Sequence, residues 1–358
     1  MIFDIIGFEM KQQVKSIIFW LCVLLFVGFT YSEMSYIFYL PVKSDADIKA
    51  IKGYHEYLYV DRTEEELREY VIHRLKSMEK AGVNVEGYMI QLGEKMDKEG
   101  LSISQIMNYV RKENDIETAE WIGEWIKAFM DNGKEKLGTV KEVNKNLYSW
   151  LGDKAYTYEV SMNYTDLAQL VGGILILPIF ALLFSKDRRY RMNELIHTKQ
   201  VKSYEYVLGR YFGCFLSFFL SVFILGICVD SIVCVKFGRA GWNTKFLDMI
   251  VQILIYVLPS LLFASALIVT LSLVFNNGMA VIPIYILYFI FNVTEGVFIG
   301  RGNFSVTLYK FLIRTLIIES INDVIIQNRI IYMALTVVLL IVSCKIWERT
   351  DKKAWRVV

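Results

Sequence analysis

Six long apolar stretches recur along the chain, separated by short polar connections and by one long charged segment. Each has roughly the 20 residues that a helix needs to cross a ~30 Å hydrocarbon core. They lie at residues 17–40, 166–184, 207–235, 247–275, 279–298 and 330–347. The pattern therefore predicts an all-α polytopic membrane protein with six transmembrane helices in a 1+5 arrangement, one before the charged segment and five after it.

The charged segment, residues 41–164, has the pattern of a helical soluble domain. Thr63 with Glu66, and Ser102 with Gln105, have the spacing of capping boxes, which satisfy the first backbone N–H groups of a helix. Apolar residues follow each signal at intervals of three and four, as amphipathic helices require. An aromatic stripe at i, i+4 and i+8 fits either the core of this domain or an apolar ligand site; it consists of Trp121, Trp125 and Phe129.

Shorter segments border the predicted spans. The first 15 residues have the apolar face and flanking lysines of a helix that lies in the cytoplasmic interface. Residues 299–329 are too polar to span and too apolar for a free loop, so we expect an outer re-entrant or interfacial helical pair there. The expected domains are therefore an interfacial helix at 1–15, a transmembrane helix at 16–40, the helical domain at 41–164, transmembrane helices 2–6 at 165–348 and a tail at 349–358.

The distribution of charge orients these spans. Residues 41–164 hold 18 Lys and Arg against 23 Asp and Glu, whereas the rest of the chain holds 21 against 14. With the N terminus inside, the short inner segments hold 13 basic residues and the short outer ones hold 7, as the positive-inside rule requires. We therefore expect a multi-pass protein of the cytoplasmic (plasma) membrane, with both termini cytoplasmic and the 41–164 domain extracellular.

The sequence has no nucleotide-binding or hydrolytic motif. It lacks GxxxxGK[ST], HExxH and GxSxG. The histidines, His55, His73 and His197, all fall outside the predicted spans, and the five cysteines lack the spacing of a metal site. We therefore expect no catalytic residue, no metal site and no cofactor in this chain.

The third span carries small residues at four-residue intervals, which places them on one helical face. In lipid, a ridge of small residues lets two helices approach closely. The pattern predicts a helix-packing face, within the chain or across a dimer, formed by Gly209, Gly213, Ser217 and Ser221.

The fifth span carries polar residues at spacings of three and four, again on one face. Polar groups at membrane depth are costly and tend to face a bundle interior or a wet cavity. The face fits a substrate path; the alternative is that its tyrosines bond neighbouring helices and its glutamate already lies at the outer surface. The residues are Tyr285, Tyr288, Asn292 and Glu295.

The segment between the second and third spans is short, basic and helical in pattern. Residues 185–206 hold six basic residues against three acidic ones. The segment has a charged entry at 187–189, a Glu194–Leu195 pair, a polar Thr198 and a glycine-rich exit at 209–213. Together with an interfacial N-terminal helix, one span, an outer domain and five further spans, it resembles the type-2 class of ABC exporter permeases.

The resemblance implies a function for this segment. In that family it is a coupling helix, here residues 186–200, that docks in a groove of a separate ATP-hydrolysing subunit. The residues alone also fit a basic anchor on anionic lipid headgroups. The positions that would contact the ATPase are Asp187, Arg188, Arg189, Tyr190, Arg191, Glu194, Leu195 and Thr198.

The resemblance also implies partners. The chain would be the permease of an exporter for a peptide, a lipid or another amphipathic substrate, paired with an identical or related permease chain. Two ABC ATPase subunits would bind the ATP and Mg, and no nucleic acid is expected. A competing interpretation is a membrane-anchored receptor or immunity protein whose outer domain binds a peptide without moving it. A third, an ion-coupled carrier, would need inverted repeats and buried charge pairs, for which the sequence has no pattern.

Overall fold

A computed structural model describes residues 1–53, 55–77, 86–152, 154–184, 202–298, 310–315 and 323–354, with side chains at all of these except 86–87, 294–298 and 350–354. The chain divides into two compact units. The first, which we name the membrane unit, comprises Met1–Phe38 and Asp153–Val358, and the second, the inserted unit, comprises Tyr39–Gly152.

Helices make up most of both units. In chain order they are α1 (Ile2–Val14), α2 (Ile17–Met34), α3 (Asp45–Ala50), α4 (Glu64–Lys76), α5 (Glu86–Lys98), α6 (Ile103–Glu113), α7 (Ile116–Gly133), α8 (Val140–Leu151), α9 (Tyr156–Ala181), α10 (Ser203–Arg239), α11 (Leu247–Gln252), α12 (Leu258–Phe275), α13 (Gly278–Phe298) and α14 (Asp323–Ala354). A 3₁₀ turn at Ser35–Tyr39 extends α2, and a π-helical turn at Ile253–Val257 joins α11 to α12. Helices α11 and α12 therefore form one continuous rod.

Five helices in the described ranges are long and apolar enough to cross a membrane. They are Ile17–Tyr39, Tyr156–Ala181, Ser203–Arg239, Leu247–Phe275 and Asp323–Arg349, and Gly278–Val293 adds a shorter apolar stretch. The expected all-α, multi-pass architecture is thereby confirmed at the level of fold class. The count of six spans and the 1+5 arrangement around an extracellular domain stay predictions.

Four helices of the inserted unit, α4 to α7, pack around one apolar core. Two short antiparallel strands, β1 (Tyr59–Asp61) and β2 (Glu135–Leu137), pair with Val60 opposite Lys136. The side chains that form the core come from α4, α5, α6 and α7 at intervals of three and four, which is why these segments are amphipathic helices. The core includes Val71, Leu75, Met89, Leu92, Met96, Ile106, Val110, Ile122, Ile126 and Phe129.

Capping boxes begin several of these helices. The two predicted ones are confirmed: Thr63 caps α4 through Glu66, and Ser102 caps α6 through Gln105. Each hydroxyl accepts a backbone N–H of the first turn, while the Glu or Gln side chain accepts the N–H of the cap residue. Local sequence therefore sets the start of these helices without help from tertiary packing.

Two carboxylates of the inserted unit, which we name the paired carboxylates, have pKa values below the ordinary range. Lys136 donates to Glu66, and this contact, with the N–H of Thr63, lowers the Glu66 pKa. Lys76 donates to Asp97 and lowers its pKa in the same way. Both pairs are exposed to solvent, so salt screens them.

The aromatic stripe on α7 is only partly core. Phe129 is buried in the core of the inserted unit, whereas Trp121 and Trp125 keep 36% and 39% of their surface exposed. The three rings contact one another edge-on or tilted, with centroids 5.8 to 5.9 Å apart. The core interpretation therefore holds for Phe129, and the two tryptophans lie at the edge of the core.

Two expected boundaries differ from the structure. Helix α9 begins at Tyr156, inside the segment that the sequence assigns to the soluble domain at 41–164. Its first turns are rich in Tyr, Thr and Ser, which lower the hydropathy, yet Tyr156, Thr157 and Tyr164 are all buried in the membrane unit. Residues 323–329 of the expected outer segment 299–329 belong to helix α14. Residues 310–314 of that segment are non-helical.

Candidate functional site

The residues of the predicted coupling helix lie outside the described ranges, but its two ends do not. Helix α9 and its final turn end at Phe184, and α10 begins after Lys202. The eight positions expected to contact an ATPase lie between these ends, from Asp187 to Thr198. Their role stays a prediction. The structure therefore shows how the two helix ends that flank the segment 185–201 are packed. We call this part of the membrane unit the base.

Close packing of α1 on α10 forms one side of this base. A Cβ at Gly209 would lie 2.8 Å from Cβ of Ile5, and a Cβ at Gly213 would lie 2.7 Å from Cβ of Glu9. Contacts of this length do not occur between real Cβ atoms, so only glycine allows the approach. Both contacts advance by four residues on each helix, so α1 and α10 run side by side in the same chain direction.

The other two members of the predicted ridge behave differently. Ser217 donates to the carbonyl oxygen of Gly213 (2.8 Å), and Ser221 donates to that of Ser217 (3.0 Å). Serine hydroxyls that bond back within their own helix are satisfied without any partner helix. The glycines contact α1, whereas the serine hydroxyls are bonded within α10.

A buried ion pair joins the same two helices. Arg210 Nε donates to Glu9 Oε2 at 2.8 Å, and Arg210 Nη1 donates to the Tyr206 hydroxyl at 2.9 Å. The side chain of Glu9 is 2% exposed and that of Arg210 is 11% exposed. A buried pair of this kind is costly to break on one side only, because the remaining charge stays unpaired away from water.

Aromatic rings extend this base to two further helices. The ring of Trp347 on α14 is 1% exposed and lies 5.3 Å from that of Tyr206 and 5.4 Å from that of Phe184. The set Glu9, Arg210, Tyr206, Phe184 and Trp347, which we name the basal clamp, thus connects α1, α10, the end of α9 and α14. Both ends of the segment 185–201 are anchored in it.

A cavity of about 380 Å³ lies beside the basal clamp. Its polar lining includes Glu9, Gln13 and Arg210, and its apolar lining includes Pro178 and Leu182. Gln13 donates to the second carboxylate oxygen of Glu9 at 2.7 Å. The ion pair is therefore hydrogen-bonded on both carboxylate oxygens at the wall of this cavity.

A second polar cluster holds the segment 310–315, which is non-helical from 310 to 314, inside the helical bundle. The amide of Gln169 on α9 donates to the carbonyl oxygen of Ile313 (2.9 Å) and accepts its N–H (3.2 Å). Asn292 on α13 accepts the N–H of Phe311 (3.1 Å), and Ser260 on α12 donates to the Phe311 carbonyl oxygen (2.8 Å). These side chains provide the backbone hydrogen bonds that a helix would otherwise provide internally.

An ion pair fixes the end of this segment. Asp166 on α9 accepts from Arg314 Nε at 2.9 and 3.1 Å and from the N–H of Thr315 at 3.1 Å. The Thr315 hydroxyl donates to the Met162 carbonyl oxygen at 2.6 Å. Irregular backbone between membrane helices is tolerated only where protein groups satisfy it or where it lines water. Here, for Phe311, Ile313 and Thr315, protein groups do so.

Arg329 on α14 completes this polar cluster. It is 6% exposed, and its Nη1 donates to Ser260 Oγ (2.7 Å) and to the carbonyl oxygens of Phe311 (3.2 Å) and Tyr256 (3.4 Å). Its Nε and Nη2 have no hydrogen-bond partner among the residues that the structure describes. We name Asp166, Gln169, Ser260, Asn292 and Arg329 the polar layer. It joins α9, α12, α13 and α14 through one stretch of backbone.

The polar face predicted on the fifth span lies on α13 and meets the polar layer. Tyr285 is buried and donates to the carbonyl oxygen of Gly173 (2.7 Å). The ring of Tyr288 stacks on that of Phe311 at 5.6 Å, and Asn292 binds the Phe311 backbone. The side chain of Glu295 lies outside the described part. Tyr285, Tyr288 and Asn292 therefore make contacts within the helical bundle. That they line a substrate path stays a prediction.

The sequence pattern predicts some of the residues of these two polar clusters but not others. Gly209, Gly213 and Asn292 stand out by spacing. Glu9, Arg210 and Asp166 were not assigned as sites, although an ionisable residue in or beside an apolar helix is a signal in its own right. Within the described ranges, no three His, Cys, Asp or Glu side chains come together as metal ligands.

The fold assigns the chain to a structural class. The five long apolar helices indicate an all-α, multi-pass membrane protein with a helical inserted unit. Comparison with protein-family models, with curated proteins and with solved structures finds no match to this chain.

Proposed function

We propose that this chain is the permease subunit of an ATP-driven ABC exporter. The observation that carries the proposal is the basal clamp, because it anchors both ends of the segment 185–201, where the sequence resembles a coupling helix. A segment that receives force from a motor protein must be attached to several spans at once. Here its ends connect through Phe184, Tyr206 and Trp347 to α9, α10 and α14.

The proposed mechanism follows from this connection. Two partner ATPase subunits bind ATP and Mg, close on each other and displace the docked helix 186–200. Because Glu9 and the glycine contacts tie α1 to α10, the displacement moves α1 together with the ends of α9 and α10. Packed helices move as rigid rods rather than by bending, so the movement reaches the far ends of the spans.

The polar layer is where such a movement would change the membrane unit most. It joins four helices through hydrogen bonds to the segment 310–315 rather than through apolar contact alone. Hydrogen bonds can exchange partners when helices shift, and in transporters non-helical backbone of this kind lies near substrate sites. The proposed substrate is a peptide, a lipid or another amphipathic molecule.

The proposal includes a topology. Six spans in the 1+5 arrangement lie in the cytoplasmic membrane, with both termini cytoplasmic and the inserted unit extracellular. A second permease chain, identical or related, completes the path. The basic segment 185–206 supports this orientation, because cytoplasmic loops carry the excess of Lys and Arg.

Co-purification tests the proposal. The full chain is expressed together with an ABC ATPase of the same organism and extracted in mild detergent. Native mass spectrometry is expected to show two ATPase copies bound to two permease chains. Glu194→Lys should release the ATPase, since it reverses the one acidic charge of the Glu-Leu pair. Purification of the wild-type chain without any ATPase, under conditions that preserve a known ABC exporter, would contradict the proposal.

One observation favours a second candidate, a peptide-binding receptor or immunity protein. The inserted unit has a groove of about 540 Å³ between α6 and α7, with apolar walls from Met107 and Ile116. Its rim carries both signs of charge, including Arg111 and Glu120. A receptor predicts peptide binding that needs neither ATP nor residues 186–200. An exporter predicts that Glu194→Lys abolishes peptide movement, whether or not the groove binds.

A further inference from the structure

Three arginines contribute to buried contacts in the described part of the membrane unit, and one of them differs from the others. Arg210 pairs with Glu9 and Arg314 pairs with Asp166, each at hydrogen-bond distance. Arg329 is 6% exposed and, among the described residues, has no carboxylate within ion-pair distance. An uncompensated guanidinium inside a membrane protein is expensive, and such residues mark functional sites by default.

The hydrogen bonds of Arg329 use only one side of its guanidinium. Nη1 donates to Ser260 Oγ and to the carbonyl oxygens of Phe311 and Tyr256, which are neutral acceptors. Within the described part of the chain, Nε and Nη2 have no hydrogen-bond partner. These two nitrogens form the edge that presents parallel N–H groups, and this edge matches two oxygens of a carboxylate or phosphate.

A third buried donor belongs to Tyr256, whose ring is packed near the guanidinium of Arg329. The hydroxyl of Tyr256 has no hydrogen-bond partner in the described ranges, and the residue is fully buried. The guanidinium carbon of Arg329 is 5.9 Å from the centroid of the Tyr256 ring. Buried polar groups without partners are rare, so their occurrence on two neighbouring side chains calls for a common explanation.

The backbone beneath Tyr256 is also unusual. The helix takes a π-helical turn at Ile253–Val257, between α11 and α12. π-helical turns are rare and occur frequently at functional sites, where they re-aim a side chain. The turn contains Tyr256, whose carbonyl oxygen accepts from Arg329.

We propose that Arg329 and Tyr256 form a binding site for a phosphate group within the membrane unit. Arg329 binds two phosphate oxygens through Nε and Nη2, and the Tyr256 hydroxyl donates to a third. A phosphate group offers separate oxygens to all three donors, and its planar bidentate pairing with a guanidinium is well suited to the free edge of Arg329. The same group is carried by inorganic phosphate and by a phospholipid, and the test distinguishes these sources.

The test measures thermal unfolding of the full chain, delipidated in a maltoside detergent, by tryptophan fluorescence. Inorganic phosphate is titrated against chloride at constant ionic strength. A second arm adds phosphatidylglycerol, or a diacylglycerol with the same acyl chains and no phosphate. We expect phosphate or phosphatidylglycerol to raise the unfolding midpoint by at least about 2 °C, since a ligand that binds only the folded state stabilises it. A response to inorganic phosphate identifies a site open to the free ion. A response to phosphatidylglycerol alone identifies a lipid headgroup site.

Variants assign the response to this site. Arg329→Gln should abolish it, and Tyr256→Phe should raise the ligand concentration for half the effect at least threefold. Tyr256→Phe removes a hydroxyl without a partner, so it remains informative if Arg329→Gln does not fold. Arg314→Gln is the matched control, an arginine of the same region already paired with Asp166, and should keep the response.

The proposal is overturned if the wild type responds to neither ligand, if the diacylglycerol matches phosphatidylglycerol without a response to phosphate, or if Tyr256→Phe responds like the wild type. The measurement uses no ATP and no partner subunit. Its failure would therefore leave the exporter proposal standing, and failure of co-purification would leave this site standing.

Discussion

Replacement of Gly213 by alanine tests whether α1 is held tightly against α10. The added Cβ would lie 2.7 Å from Cβ of Glu9 and 2.8 Å from the carbonyl oxygen of Ile6. Ordinary contact begins at 3.4 Å, so α1 must retreat by about 0.7 Å. One of the two contacts is backbone, so no rotamer change can relieve it.

The retreat has a calculable effect on the ion pair of the basal clamp. The distance from Arg210 Nε to Glu9 Oε2 would lengthen from 2.8 Å to about 3.5 Å, the limit of a hydrogen bond. Overpacking costs about 1–3 kcal/mol, and loss of a hydrogen bond between charged groups adds about 1.5–3 kcal/mol. We expect a total of about 2–5 kcal/mol, because α1 can tilt and share the movement.

The assay is thermal unfolding of the full chain in mild detergent. Gly7→Ala is the matched control, since Gly7 is also helical and a Cβ there meets nothing within 4 Å. Both variants gain the same helix propensity, up to about 1 kcal/mol, so their difference isolates the clash. Gly213→Ala should unfold about 4–10 °C below Gly7→Ala. Equal midpoints for the two variants would refute the close packing.

Further predictions concern the polar layer and the inserted unit. Asp166→Asn should lower stability by about 2–4 kcal/mol and leave Arg314 unpaired; a double-mutant cycle with Arg314→Gln that is purely additive would exclude the coupling. Asn292→Leu should cost about 1–3 kcal/mol, because the N–H of Phe311 loses its acceptor, and a transport rate equal to wild type would argue against a substrate path there. The paired carboxylates have depressed folded-state pKa values, so their stabilisation is present above the unfolded pKa and is lost as pH falls below about 4. Acid unfolding should therefore be less steep at 1 M salt than at 0.1 M; identical curves would contradict this.

The sequence predicts those features of the fold that depend on a local pattern of residues. Apolar runs of sufficient length give the long helices, and Thr63 and Ser102 give the starts of α4 and α6, because a helix start is decided within four residues. The spacing of Gly209 and Gly213 predicts a packing face. It does not identify α1 as the helix in contact, since that depends on how the chain folds back.

The sequence does not predict pairings between distant residues. Glu9 and Arg210 are 201 positions apart, and Gln169 binds the backbone of Ile313 across 144 positions. Each side chain alone is an isolated polar residue in or beside an apolar stretch. Only the fold shows that the paired groups satisfy one another.

The predicted boundary between the soluble domain and the second span is wrong because polar residues there are buried in the membrane unit. The first turns of α9 are rich in hydroxyl groups and therefore resemble the soluble domain. In the structure these groups bond within the membrane unit: Thr157 donates to Asp248 at 2.7 Å, and Tyr164 donates to the Val222 carbonyl oxygen. Hydropathy averages count such groups as polar, although hydrogen bonding makes their burial inexpensive.

ATP hydrolysis by a co-purified partner ATPase, reconstituted with this chain in lipid nanodiscs, tests the central claim most directly. The account predicts that the wild-type chain stimulates hydrolysis and that Glu194→Lys reduces the stimulation at least tenfold. Glu205→Lys, the same charge reversal in the first turn of α10 and outside the docking positions, should stay within twofold of wild type. Equal stimulation by both variants, or none by the wild-type chain, would contradict the claim that residues 186–200 connect this membrane protein to an ATPase.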